Sequence, residues 1–167
     1  MVETLFNDVL HTVSTWNPKA EYLTERKYRD DLLEFLQEQL NSDSTPYSSA
    51  IWGLDPLSHH FVKKEAGRSL ADIAIDNEIG IELKRNLKHK SQINRLVGQV
   101  VDYLNAYSCV IIVLCGRTER EAVSILKYNL KTILKSFSSH SEEEKLVTII
   151  LKSNCNKTRK TITQTVM

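Results

Sequence analysis

Apolar residues recur at helical spacing in four stretches of the chain, with short continuous or alternating apolar runs between them. Leu5, Val9, Leu10 and Val13 share one side of a first helix over residues 2–13, because positions three and four apart fall on the same face. Tyr22, Leu32, Leu33, Leu36 and Leu40 form the stripe of a second helix over 18–40, with Asn17 as its cap and Pro18 at its first position. Glu25 and Arg29 fall near the start of that stripe, either as an i,i+4 ion pair or with the glutamate directed inward. Residues 41–50, NSDSTPYSSA, are polar and carry proline, so they read as a loop. Short strand pieces are expected at 51–53 and 59–64, on either side of an Asp55-Pro56 turn.

The pattern then changes period. Residues 69–76 and 79–84 read as two strands of a hairpin around Asp76-Asn77-Glu78. Side chains alternate faces along a strand, so Ile73, Ile75, Ile79, Ile81 and Leu83 make one apolar face. Asp72, Glu82 and Lys84 fall on the other. A third helix over 91–107 buries Ile93, Leu96, Val97, Val100, Leu104 and Tyr107, whereas Lys88, Gln92, Arg95, Gln99 and Tyr103 recur along a polar face. Residues 109–115, CVIIVLC, form a continuous apolar run of the length of a buried strand, ended by Gly116. A helix over 118–137, carrying Ala122, Leu126, Leu130, Ile133 and Phe137, and a strand over 146–151 complete the pattern, and the polar, basic tail from Ser153 is expected to be loose. The order α, α, three strands, α, β, α, β predicts an α/β fold, a three-layer α/β/α sandwich around a mixed sheet.

Composition sets bounds. With 167 residues, 41% of them hydrophobic, the chain has enough apolar material for a single domain. It has no run of about 18 apolar residues and no signal-peptide pattern at its N-terminus, so a soluble, intracellular, cytoplasmic protein with no membrane partner is expected. Cys109, Cys115 and Cys155 lack paired spacing and read as reduced thiols. The net charge of +1 conceals segregation. Between Glu82 and Asp102 there is no acid, while Lys84, Arg85, Lys88, Lys90 and Arg95 occur there; after Glu144 there is again none, and Lys145, Lys152, Lys157, Arg159 and Lys160 follow. A locally basic face on a near-neutral protein fits a polyanion such as nucleic acid. Lys63, Lys64, Arg68, Lys88, Arg95 and Tyr103 are the candidate contacts, and Trp52, His59 and His60 could touch a substrate as well.

The chemistry-bearing residues sit on the hairpin. A phosphodiester is cleaved in line by water, and a divalent cation lowers the barrier by activating that water and neutralising the growing charge. Magnesium keeps several waters and needs only one or two carboxylates, which Asp72 and Glu82 can supply as metal ligands. Lys84 is then a cation aimed at the developing anion.

At these residues the chain resembles the PD-(D/E)XK superfamily, the restriction-endonuclease-like nucleases. The family signature, an aspartate on one strand and acid-x-lysine on the next, is matched by Asp72 and Glu82-Leu83-Lys84, with Ala71 where the motif has proline. The family often adds a glutamate from the preceding helix and a glutamine on the following one; Glu25 and Gln99 are the matching positions, with Glu21 one turn away as the alternative acid. Gln99 to Tyr103 also looks like the glutamine-x-x-x-tyrosine element of the exonuclease-type branch. The resemblance covers about residues 21–115. It implies a restriction-endonuclease-like fold, catalytic roles for Asp72, Glu82, Lys84, Gln99 and Glu25, and a Mg2+-dependent nuclease that accepts Mn2+ and acts on DNA ahead of RNA. A small chain of this kind would read branched or junction DNA, or work as a homodimer or within a larger complex. The competing expectations are a non-catalytic module binding nucleic acid or protein, and an RNA-cleaving toxin or defence nuclease.

Overall fold

The computed structural model of the chain describes residues 2–41, 60–64, 70–138, 145–152 and 161–166. In chain order the elements are α1 (Val2–Thr15), α2 (Glu25–Asn41), β1 (Val62–Lys64), β2 (Ile73–Ile75), β3 (Ile79–Arg85), α3 (Lys90–Ala106), β4 (Cys109–Cys115), α4 (Arg120–Ser138), β5 (Leu146–Lys152) and β6 (Thr161–Val166). The expected strand piece at 51–53, with Trp52, lies outside the described residues, as do His59, Arg68 and Cys155.

The six strands lie side by side in sequence order. β1, β2 and β3 are antiparallel, β3, β4 and β5 are parallel, and β6 returns antiparallel to β5. The parallel pairs require crossovers, which α3 and α4 provide. Because both crossovers step the same way across the sheet, a common hand puts their helices on one face. There they pack Leu96, Val100, Leu126 and Leu130 on Val110, Ile112 and Leu114 of β4. The alternate residues of β4, Ile111 and Val113, face α1 and α2 with Phe6, Val9, Leu32 and Leu36. A strand buried on both faces has no polar side, which is why 109–115 reads as an unbroken apolar run. The mixed sheet thus sits between two helical layers, as the pattern predicts.

The hairpin turn forms as expected, but its first strand is Ile73–Ile75 in place of 69–76, and Asp72 lies just before it, where its carboxylate takes the Leu83 N–H instead of joining the ladder. Glu78 donates its N–H to the carbonyl of Ile75 at 3.0 Å, and the two central residues, Asp76 and Asn77, adopt left-handed φ of 51° and 56°. Aspartate and asparagine tolerate that region better than most residues. Ile73, Ile75, Ile79, Ile81 and Leu83 all join the core beneath α1 and α2. Across the sheet, a side chain at Gly80 would come within 2.7 Å of the Tyr107 ring, so a glycine is needed for Tyr107 to lie against β3. Cys109 and Cys115 are buried free thiols.

Two further expectations are corrected. The second helix begins at Glu25 instead of Pro18. The buried carboxylate of Asp31 accepts hydrogen bonds from Trp16 Nε1 (3.4 Å), the N–H of Lys19 (2.8 Å) and the hydroxyl of Tyr22 (2.7 Å). Those three donors bind 16–22 as a non-helical strap against α2, and Thr24, whose Oγ1 accepts from the N–H of Lys27 at 3.4 Å, becomes the cap. Tyr22 is therefore absent from the helical stripe and meets Tyr28 edge-on, with ring centroids 5.1 Å apart. The tail from Ser153 is likewise not loose throughout, since 161–166 pairs with β5 as β6. Among the described residues no helix is long and apolar enough to cross a membrane.

Candidate active site

Strand alternation sets the site. Ile81 and Leu83 enter the core under α1 and α2, so Glu82 between them is turned toward α3. Its side chain is only 3% exposed. One carboxylate oxygen accepts from Lys84 Nζ at 2.5 Å and the other from the Tyr103 hydroxyl at 2.9 Å. Asp72, just before β2, is fixed to β3 through Oδ2, which accepts the N–H of Leu83 at 2.9 Å. Its Oδ1 lies 4.0 Å from an Arg29 guanidinium nitrogen.

The helices complete the group. Glu25, at the first position of α2, accepts the N–H of Arg85 at 3.0 Å, and its second oxygen stands 3.9 Å from Lys84 Nζ. On α3, Gln99 Nε2 donates to the Tyr103 hydroxyl at 3.2 Å. That hydroxyl spends its proton on Glu82, so it can only accept from Gln99, and the amide orientation follows. Gln99 Oε1 is left buried without a hydrogen-bond partner. Asp72, Glu82, Lys84, Glu25 and Gln99, far apart in sequence, are thus joined through a short chain of contacts. Glu21 lies outside the helix, whereas Glu25, at its first position, is the acid that reaches Lys84 and the Arg85 N–H.

Electrostatics single out the two carboxylates. Burial pushes the Glu82 carboxyl above its ordinary value, and repulsion from Asp72 adds to that against the pull of Lys84 and the Tyr103 hydroxyl. Burial likewise raises Asp72, opposed by the Leu83 N–H, Lys84 and Arg29 and reinforced by Glu25. Burial and the Glu82 charge hold the Tyr103 phenol protonated well beyond its usual range, which keeps it a donor. Among the described residues no three His, Cys, Asp or Glu side chains gather as metal ligands. Asp72 and Glu82 are the two carboxylates that could hold a hard cation that retains water, and a bound ion would relieve their desolvation.

The nucleic-acid candidates scatter. Lys88 and Arg95 are exposed near the N-terminal end of α3. Lys64 stands 3.7 Å from Asp30, and Lys63 lies 5.9 Å from the Phe61 ring centroid. Tyr103 is corrected: it is 1% exposed and supports Glu82 from inside, where no nucleic acid can touch it. His60 is bound to Asp76 at 2.7 Å and touches none of the site carboxylates. Sequence reasoning missed Arg29, assigning it only as a partner for Glu25. The two do not pair; Arg29 turns to Asp30 at 3.0 Å and toward Asp72. The i,i+4 spacing was the available signal, since an inward Glu25 brings Arg29 to the same side of α2.

Compared with protein-family models, with curated proteins and with solved structures, the chain finds no match.

Proposed function

We propose that the protein is a metal-dependent nuclease that hydrolyses phosphodiester bonds in DNA, with the restriction-endonuclease-like arrangement that its motif resembles. The observation that carries this reading is that burial raises both Asp72 and Glu82, that the Asp72 charge raises Glu82 further, and that Lys84 lies against Glu82. Asp72 and Glu82 would hold Mg2+, or Mn2+ in its place, and the bound ion would supply charge neutralisation and a more acidic water. Lys84 Nζ has three N–H donors and gives one to Glu82, which leaves donors for a non-bridging phosphoryl oxygen. Glu25 restrains Lys84 from the far side, and Tyr103 fixes the Glu82 carboxylate. Gln99 Oε1, an unpaired acceptor behind Tyr103, can take a hydrogen from an ordered water. Branched or junction DNA is the first substrate to test, because the described residues form one sheet with its two helical layers and no separate unit for reading sequence.

A second reading has one observation in its favour. Both Glu82 oxygens already have protein partners, as they would in a non-catalytic module whose ion pair is structural. Labelled linear, flapped and four-way DNA incubated with Mg2+ or Mn2+ separates the two. The nuclease should lose about 10²–10³ in rate on Lys84→Ala, the scale of removing one preorganised transition-state donor. Equal residual cleavage by parent and variant, or no cleavage of any substrate by the parent, rejects the catalytic assignment.

A further inference from the structure

Beside Lys84, a cavity of about 150 Å³ is lined by Glu25, Lys84, Arg85, Leu87, Gln92 and Arg95. This is well below the roughly 300–1,000 Å³ of cavities that enclose drug-sized ligands, so it has room for a small group and not for a nucleotide. Its polar atoms are mostly donors. Gln92 Oε1 accepts the N–H groups of Lys88 (3.1 Å) and His89 (3.0 Å), which fixes the amide and leaves Nε2 as the donor end. Arg95 makes no ion pair and no side-chain hydrogen bond among the described residues. Arg85 gives Nε to the Tyr22 carbonyl at 3.0 Å, and its remaining guanidinium nitrogens are still available as donors. The one carboxylate, Glu25, has an oxygen occupied by the Arg85 N–H, and its second oxygen stands 3.9 Å from Lys84 Nζ. A cavity with guanidinium, amide and ammonium donors, in which the Gln92 oxygen and one Glu25 oxygen are engaged and the other Glu25 oxygen lies against the Lys84 ammonium, is suited to an oxyanion.

We infer that this cavity is a phosphate subsite: Gln92, Arg95 and Arg85 bind a phosphate group of the substrate strand next to the one that is cleaved. The inference rests on the nuclease reading for the identity of the ligand, though the donor geometry stands without it. The phosphate can be a terminal monoester or an internal diester, and the two share this chemistry. Its occupation sets which linkage lies over Asp72 and Glu82, so the subsite fixes the position of cleavage relative to a neighbouring phosphate or strand end.

The test is binding of a short labelled DNA duplex, with a 5′-phosphate or a 5′-hydroxyl end, to non-cleaving Asp72→Asn protein at several salt concentrations. In that background Arg95→Gln should weaken binding roughly 5- to 10-fold and reduce the slope of log affinity against log salt by about one. Gln92→Glu is the sharper variant. It keeps the acceptor for Lys88 and His89 and puts an acid in the first turn of α3, so thermal stability should hold or rise while affinity falls by a similar factor. A gain from the 5′-phosphate that disappears in Arg95→Gln identifies a terminal phosphate; a loss in Arg95→Gln that ignores the end group identifies an internal one. Affinity and salt slope in both variants indistinguishable from Lys131→Gln, an exposed lysine on α4, would overturn the subsite. Arg95-dependent binding by a parent protein that cleaves nothing would leave the subsite standing and remove the nuclease reading.

Discussion

Among the described residues, Asp31 on one side and Asp72 with Glu82 on the other are buried or half-buried acids built on opposite principles. Asp31 is surrounded by donors: an indole N–H, a backbone N–H and a tyrosine hydroxyl. Every one of them comes from the strap it holds, and none is a cation. Asp72 and Glu82 instead are lifted above the ordinary carboxylate range by burial, with the Asp72 charge adding to the rise of Glu82 and the Glu25 charge to that of Asp72. A carboxylate ringed by donors organises structure. Two that share a desolvated space, with a lysine on one and an arginine 4.0 Å from the other, store a demand for positive charge that folding alone does not meet.

The contrast predicts opposite responses to neutralisation. Asp31→Ala leaves three buried or part-buried donors without their acceptor, and unsatisfied groups of that kind cost about 1–3 kcal/mol each when fully desolvated. We expect a loss of about 2–4 kcal/mol by denaturant unfolding, with 16–22 released from α2. Asp72→Asn should go the other way in metal-free buffer. It keeps an acceptor for the Leu83 N–H while removing the repulsion with Glu82, and a gain of roughly 1–2 kcal/mol is expected. Mg2+ should raise the melting temperature of the parent and leave that of Asp72→Asn almost unmoved. A destabilised Asp72→Asn would mean that Asp72 is a structural acid like Asp31, and the comparison would fail.

Acid titration sharpens the same point. The folded-state values of Asp72 and Glu82 lie above those of the unfolded chain, so between the ordinary carboxylate range and the raised values the native state binds more protons. Their contribution is fully present below the unfolded values and is lost as pH rises through the folded ones. Stability measured without metal should therefore fall across that window in the parent. In Asp72→Asn the fall should be smaller, and saturating Mg2+ should oppose it in the parent, because the cation replaces the proton.

Most of this arrangement was legible along the chain because it depends on local periods. A period of two put Asp72, Glu82 and Lys84 opposite five isoleucines and leucines, and a glycine and two Asx residues marked the turns. What stayed hidden depends on contacts between distant residues. Nothing near Pro18 shows that Asp31 will draw Trp16, Lys19 and Tyr22 onto α2, so the helix was started too early. Tyr103 lies on the polar stripe of α3, and a polar stripe normally faces water. Here it faces the sheet, where the buried Glu82 carboxylate makes a phenol a suitable neighbour. The strand at 161–166, TITQTV, has the β-branched residues that favour extended structure, but its polar alternation and basic approach resemble a tail until β5 supplies an edge.

The smallest effect concerns a buried group of the other sign. Lys152 ends β5 and is 4% exposed, with Nζ donating to the Ser14 carbonyl at 2.7 Å near the C-terminal end of α1. Like the acid pair it carries a charge away from water. Burial lowers its pKa to about 8. The unfolded chain, with an ordinary lysine, then binds more protons between about pH 8 and 10.5, and stability attributable to this residue rises with pH across that interval. The expected gain is on the order of 1 kcal/mol once relaxation and water penetration are allowed for. Lys152→Met, close in volume and uncharged, should abolish that rise in denaturant unfolding between pH 8 and pH 10 while leaving the acid-side behaviour of Asp72 and Glu82 intact. An unchanged slope in Lys152→Met would show that the lysine reaches water.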